Sequence, residues 1–191
     1  MYDAGEQAQL LEVAEASIRH GLQQGRALEV DPLDYPPSLR QPRATFVTLN
    51  RHGELRGCIG SLEAHRPLIS DVAHNAWSAA FRDPRFPPLA TAEWPGLELH
   101  ISILSPPEPL AVESRASLIA SLRPGIDGLI VEEGGRRGTF LPSVWESLGE
   151  PHAFVSHLML KAGLPADYWS QSLRISRYTT ESFGRAVREP D

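Results

Sequence analysis

The sequence predicts an α+β protein with mixed or antiparallel sheets, built from two β-hairpin-plus-helix units with flanking helices. The units form two tightly joined subdomains within a single domain spanning residues 1–191. Three observations predict this. Two apolar, β-branched runs fold back around glycine-containing turns, at residues 44–61 and 127–141, and each leads into a proline-opened stretch with apolar positions at helical spacing. Seventeen prolines and fifteen glycines divide the chain into many short elements. The balance of 41% apolar to 22% charged residues is that of a globular protein with enough material for a core.

Residues 6–24 place Leu10, Leu11, Ala14, Ile18 and Leu22 on one face of an amphipathic helix that Gly25 ends. Pro32, Pro36, Pro37 and Pro42 are too many for a helix interior, so residues 30–43 form a connecting loop. After the first hairpin, Pro67 opens a helix through about Arg82. Its buried face is Leu68, Ile69, Val72, Ala73, Ala76, Trp77 and Ala80, which leaves Ser70, His74 and Ser78 to solvent. Asp83-Pro84-Arg85-Phe86-Pro87-Pro88 breaks that helix with a rigid turn.

Period-two alternation predicts a strand over 97–104 with Leu97, Leu99, Ile101 and Ile103 inward and Glu98, His100 and Ser102 outward. A short helix over 114–122 ends at Arg123-Pro124-Gly125, and the second hairpin turns at Gly134-Gly135. Pro142 leads toward a helical stretch. Pro151 opens a further helix through about Ala162 that buries Phe154, Val155, Leu158 and Met159 and stops at Gly163 and Pro165. Tyr168 and Trp169 close the core. A last strand over 172–179, with Leu173 and Ile175 inward, precedes Glu181-to-Phe183 and a short polar tail.

A net charge of −6 argues against a protein devoted to nonspecific nucleic-acid or anionic-membrane binding, since both need a positive field. One cysteine makes no internal disulfide, and no signal peptide or long apolar span is present, so a cytoplasmic location is expected. The seven histidines never take helical ligand spacing, and no metal or cofactor is expected.

The chemistry concentrates around that cysteine, in Leu55-Arg56-Gly57-Cys58-Ile59-Gly60. Alternation along a strand places Arg56 and Cys58 on one face, and a permanent positive charge beside a sulfur favours the thiolate. Gly57 and Gly60 leave room for a substrate or another backbone to approach. Asp83 and Arg85 reach back over this hairpin, Asp83 as an acceptor or proton carrier and Arg85 as an anion anchor; alternatively Asp83 pairs with Arg85 or caps the turn while Phe86 plugs the core. His100 is a candidate binding residue or a structural one. Cys58 is either a nucleophile or a small core filler. Arg137-Gly138-Thr139-Phe140 echoes Arg56-Gly57-Cys58-Ile59, which suggests a diverged internal duplication with Thr139 in the place of Cys58.

The hexapeptide, together with Phe46-Val47-Thr48-Leu49, Ala79-Ala80-Phe81-Arg82-Asp83-Pro84-Arg85-Phe86, Ile101-Ser102-Ile103-Leu104, Gly138-Thr139-Phe140-Leu141-Pro142 and Lys161-Ala162-Gly163-Leu164-Pro165, closely resembles the ordered signature of the AMMECR family. The resemblance covers nearly the whole chain. It implies an α+β fold of two subdomains with no settled activity, and an association with a Memo-type protein and a radical S-adenosylmethionine protein, as in the AmmeMemoRadiSam system. Family members often carry a second cysteine shortly before the lysine of the Lys-Ala-Gly motif; here those positions are Met159 and Leu160. Two functions follow as expectations. One is a cysteine-dependent transferase or modifying enzyme with Cys58, Arg56 and Asp83 catalytic and Gly57, Gly60, Arg85 and His100 binding substrate. The other is a noncatalytic accessory or scaffold acting with those partners.

Overall fold

The structure, a computed structural model, describes residues 1–188. In chain order its helices and strands are α1 (Ala4–Gln24), β1 (Thr45–Arg51), β2 (Glu54–Gly60), α2 (Leu68–Phe81), β3 (Leu97–Leu104), β4 (Glu108–Pro109), α3 (Arg115–Ser121), β5 (Gly128–Glu133), β6 (Arg136–Phe140), α4 (Pro151–Lys161), β7 (Arg174–Tyr178) and β8 (Thr180–Ala186). They form two compact units, the first made of residues 1–104 and the chain from 181 onward, the second of residues 105–180. Each unit is built on one four-stranded sheet, ordered β2-β1-β3-β8 in the first and β4-β7-β5-β6 in the second. The architecture is α+β, as expected.

In the first unit, α1 begins with a capping box in which the Asp3 carboxylate accepts the Glu6 N–H and the Glu6 carboxylate accepts the Asp3 N–H, both at 2.9 Å. The proline-rich connector is ordered into short 3₁₀ turns at Pro32–Asp34 and Pro37–Arg40. Alternation along β1 and β3 turns Val47, Leu49, Leu97, Leu99 and Ile101 inward, where they meet Leu10, Ile18, Ile69 and Val72 of the two long helices. Each such aliphatic side chain contributes about 2 kcal/mol by leaving water.

The α2 helix is buried more fully than its apolar pattern predicts. Asp71, Asn75 and Ser78 are buried as well, which corrects the expectation of a solvent-facing Ser78. Asp71 is accommodated because Thr45 Oγ1 donates to its Oδ2 at 2.7 Å, Asn75 Nδ2 donates at 3.0 Å and Arg66 lies 3.4 Å away. Burial nevertheless pushes its carboxyl above the usual range.

The C-terminal reading needs a second correction. Residues 172–179 contribute β7 to the second unit, whereas Glu181-to-Phe183 and the start of the expected polar tail belong to β8, the edge strand beside β3. Val187 N–H donates to Leu97 O at 2.9 Å, and Ser102 and Ser182 meet at 2.9 Å. Local pattern missed this because β8 alternates polar residues with glycine and alanine on its exposed side. Its inward residues Phe183 and Arg185 reach the core edge and the buried Glu15.

The second unit packs Leu118, Leu129, Val131, Phe154, Leu158 and Ile175 into its own core. Trp145 stacks on Phe154 at 3.8 Å and donates to the Asp127 carbonyl at 2.7 Å. Tyr178, 1% exposed, donates to Phe140 O and meets Thr139 Oγ1, both at 3.0 Å; burial pushes its hydroxyl up to about 12.

The two hairpins correspond pair by pair when counted from their turns, the first carrying one extra residue, Arg56, between its second and third pairs. His52-Gly53 and Gly134-Gly135 both have positive φ at both positions, as a two-residue type I′ turn requires. Gly57 opposite Leu49 and Gly138 opposite Val131 are each the third pair from the turn, and Cys58–Thr48 and Thr139–Ile130 the fourth. Each glycine receives a later helix of its own unit. A Cβ on Gly57 would lie 2.1 Å from the Ala79 carbonyl of α2, and one on Gly138 2.8 Å from Ala162 just past α4.

Candidate functional site

The candidate site lies on β2, the outer strand of the first sheet. Thr48 on β1 is the cross-strand partner of Cys58, and its hydroxyl donates to the Cys58 sulfur at 3.2 Å. Cys58 is half-buried and unpaired by any disulfide. At an outer strand one row of backbone groups has no neighbour to bond. The 83–88 turn supplies the missing partners: Asp83 Oδ2 accepts the Cys58 N–H at 2.9 Å, and Arg85 Nη2 donates to the Cys58 carbonyl at 3.5 Å.

Asp83 is buried and accepts from four donors. Besides Cys58 N–H, its oxygens take Arg85 N and Nε at 3.0 Å and Arg85 Nη2 at 2.7 Å. The Arg85 guanidinium holds the carboxyl well below the usual range, with the two backbone N–H groups adding to this against the cost of burial. At neutral pH Asp83 therefore has no proton to give. The turn reaches back over the hairpin and pairs Asp83 with Arg85 at once, while Phe86, expected in one reading to plug the core, is only half-buried.

The expected Arg56–thiol pairing is corrected. Leu49 pairs with Gly57 and Asn50 with Leu55, so Arg56 is the extra residue of a β-bulge and strict alternation fails there. Its guanidinium donates to Glu93 through Nε at 2.7 Å and Nη2 at 3.0 Å, and through Nη2 to Pro87 O at 2.9 Å. The two-point pair raises Arg56 above its ordinary value and lowers Glu93 to about 2. The positive charge that was to favour a thiolate is thus matched by a carboxylate. Phe86, half-buried, sits between guanidiniums, with Arg56 5.8 Å and Arg85 5.5 Å from its ring centre.

The room expected beside the glycines is also taken. Gly57 faces the Ala79 carbonyl, and a Cβ on Gly60 would lie 2.3 Å from Thr45 O and 2.4 Å from the Phe46 ring. In the direction of their missing side chains, these glycines admit the protein's own backbone and ring. His100 pairs with Thr48 on the side away from Cys58, so the sulfur and the imidazole stand two strands apart, roughly 9.5 Å by sheet spacing. His100 is half-exposed, with Glu98 3.9 Å away.

The structure thus gathers Cys58, Asp83 and Arg85, diverts Arg56 to Glu93, and leaves His100 one strand too far for contact. Two residues escaped the sequence reading. Thr48 was findable, because the His52-Gly53 turn fixes its pairing with Cys58 to within the bulge. Glu93 lies 37 residues from Arg56 and carries no local signal. Among the described residues no group of three or more His, Cys, Asp or Glu is placed to hold a metal ion, and no helix is long and apolar enough to cross a membrane.

The AMMECR1 family model matches residues 11–183. A protein of Methanothermobacter thermautotrophicus is 42% identical over 91% of this chain and 91% of its own length. Protein MJ0810 of Methanocaldococcus jannaschii is 40% identical over 78% of this chain and 76% of its own. Among solved structures, that of uncharacterized protein PH0010 from Pyrococcus horikoshii aligns with a TM-score of 0.82 at 35% identity, covering 92% of this chain and 89% of that one. The family model and these relatives each span most of the chain, and the chain belongs to the AMMECR1 family.

Proposed function

We propose that this protein is a noncatalytic accessory of the cytoplasm that presents the Cys58 hairpin as a rigid docking feature to a Memo-type protein and a radical S-adenosylmethionine protein. One observation carries the reading: the ionic groups of the signature are consumed within the fold. Arg56 is spent on Glu93, and Asp83 is saturated by Arg85 and the Cys58 N–H. A nucleophilic thiol needs a free cation or a base within reach, and these groups serve instead to fix the shape of an outer strand. The test is Cys58→Ser. On this reading the variant forms the same complexes and supports the partners' activity as well as the parent does. Loss of turnover with an unchanged fold overturns it.

A second reading, a thiol-dependent group transfer, is favoured by the half-buried sulfur and the Thr48 hydroxyl on it. Cys58 is then the nucleophile or attachment point. Thr48 rather than Arg56 is the group that acts on its sulfur. This reading requires Thr48→Val to change the rate at which iodoacetamide labels Cys58 in the folded protein, whereas a docking role leaves partner binding by that variant intact.

A further inference from the structure

Away from the residues around Cys58, the first unit has an open cleft of about 570 Å³, within the size range of small-molecule sites. Its floor is α2, which contributes Ser70, His74 and Trp77 at successive turns; Arg66 enters from the segment before that helix, and residues 26–30 form the facing wall. The wall is anchored. Ser17 Oγ donates to Ala73 O of α2 at 2.7 Å and accepts the Leu28 N–H at 3.1 Å, so one buried hydroxyl ties the strap to the helix it faces. The cleft is therefore built in advance rather than opened by a ligand.

The lining has a definite chemistry. Its lining residues include two guanidiniums, Arg26 and Arg66, and one carboxylate, Glu29, in a chain whose overall charge is −6. Both arginines are under-used. Arg66 touches Asp71 through one nitrogen at 3.4 Å and Arg26 touches Glu29 through one at 3.3 Å, with 45% and 62% of these side chains exposed. An arginine engaged by one nitrogen keeps most of its donor fork free. Burial, and then the Arg66 charge, hold His74 below its ordinary value, so its ring is an uncharged hydrogen-bonding group at neutral pH. His74 and Trp77 lie 6.2 Å apart, and Leu28 and Val30 add apolar surface opposite them.

We propose that this cleft binds a phosphate-bearing small molecule with a planar ring, the phosphate held by Arg66, Arg26 and Ser70 and the ring lodged among Trp77, His74 and Leu28. Two separated guanidiniums and a hydroxyl suit a group with several acceptor oxygens better than a two-oxygen carboxylate. The aromatic and aliphatic lining suits a ring better than a bare ion. Nothing in this binding depends on Cys58 or on either reading of its role.

The test is titration of the full chain with adenosine monophosphate, inorganic phosphate and adenosine, followed by the indole N–H resonance of Trp77, which Trp77→Phe identifies. Adenosine monophosphate is expected to shift that resonance saturably, with inorganic phosphate and adenosine each binding at least tenfold more weakly. Arg66→Gln is expected to weaken binding at least tenfold. Because Arg66 also faces the buried Asp71, Arg26→Gln serves as the second variant; it alters only an exposed pair and is expected to weaken binding several-fold. Absence of a saturable shift overturns the proposal. So does adenosine binding as tightly as its monophosphate, or both folded variants binding like the parent. Cys58→Ser is expected to bind the monophosphate unchanged, which separates failure of this site from failure of the docking role.

Discussion

At the scale of single residues, Glu93 is the structural counterpart of the signature arginine. Arg56 is 9% exposed, so removing its carboxylate leaves a buried charge with one hydrogen bond, to the Pro87 carbonyl, and the Phe86 ring beside it. Glu93→Ala is expected to cost about 3 kcal/mol, read as a lower urea midpoint at constant slope. Glu93→Gln, which retains one acceptor, is expected to cost less. The same pair sets part of the acid response. Glu93 at about 2 and Asp83, also lowered, lie below their unfolded values of about 4. Their stabilisation is complete above that range and is lost as pH falls toward 2. Asp71 works in the opposite sense: its folded value is raised, so its contribution is full below the unfolded value and is lost as pH rises through the folded one. With three lowered carboxylates, Glu133 included, against one raised, the urea midpoint is expected to fall between pH 4 and pH 2, and to fall less steeply in Glu93→Gln. The sequence singled out Arg56 and Asp83 and offered Arg85 as a partner for Asp83, but it misassigned the partner of Arg56 and gave no sign of Glu93. A single extra residue at Arg56 broke the alternation on which the pairing argument rested, and the true partner was distant in sequence.

At the scale of elements, the glycines of the two hairpins make the sharpest predictions. Gly57 abuts a helix carbonyl, which has no rotamer to yield, so Gly57→Ala is expected to destabilise by 2 kcal/mol or more, roughly the cost of overpacking. Gly138 meets Ala162 at 2.8 Å rather than a carbonyl at 2.1 Å, so Gly138→Ala is expected to cost less. The reverse order in thermal melts would disprove the account. Helices and hairpins were legible because burial imposes periods of 3.6 and 2 on the sequence. Leu10-to-Ile18 and Leu97-to-Ile103 show these patterns without interruption. What escaped was β8, whose outward residues are small or polar because it borders the sheet, and the buried polar face of α2, where Asp71 and Asn75 bond to Thr45 instead of water.

At the scale of the whole molecule, the first unit depends on residues from both ends of the chain. Glu15, 1% exposed, is matched by Arg185 at 3.1 Å and by Arg19 at 3.6 Å, and the Trp94 indole donates to Arg188 O at 2.9 Å. Ending the chain after Thr179 removes β8, the Arg185 partner and the Trp94 acceptor together. The expected loss is several kcal/mol from the first unit, since a buried carboxylate stripped of a partner alone costs about 3 kcal/mol. Hydrogen exchange checks this: the shortened chain is expected to lose protection in β1 and β3 while α4 and β5 keep theirs.

The late arrival of β8 also orders events at the ribosome. The second unit is written without interruption between β3 and β8, so it can finish folding while the first still waits for its final strand. Throughout that interval the bonding groups along β3 stand bare, ready to recruit a strand from another nascent copy. A chaperone has most to protect in those seconds.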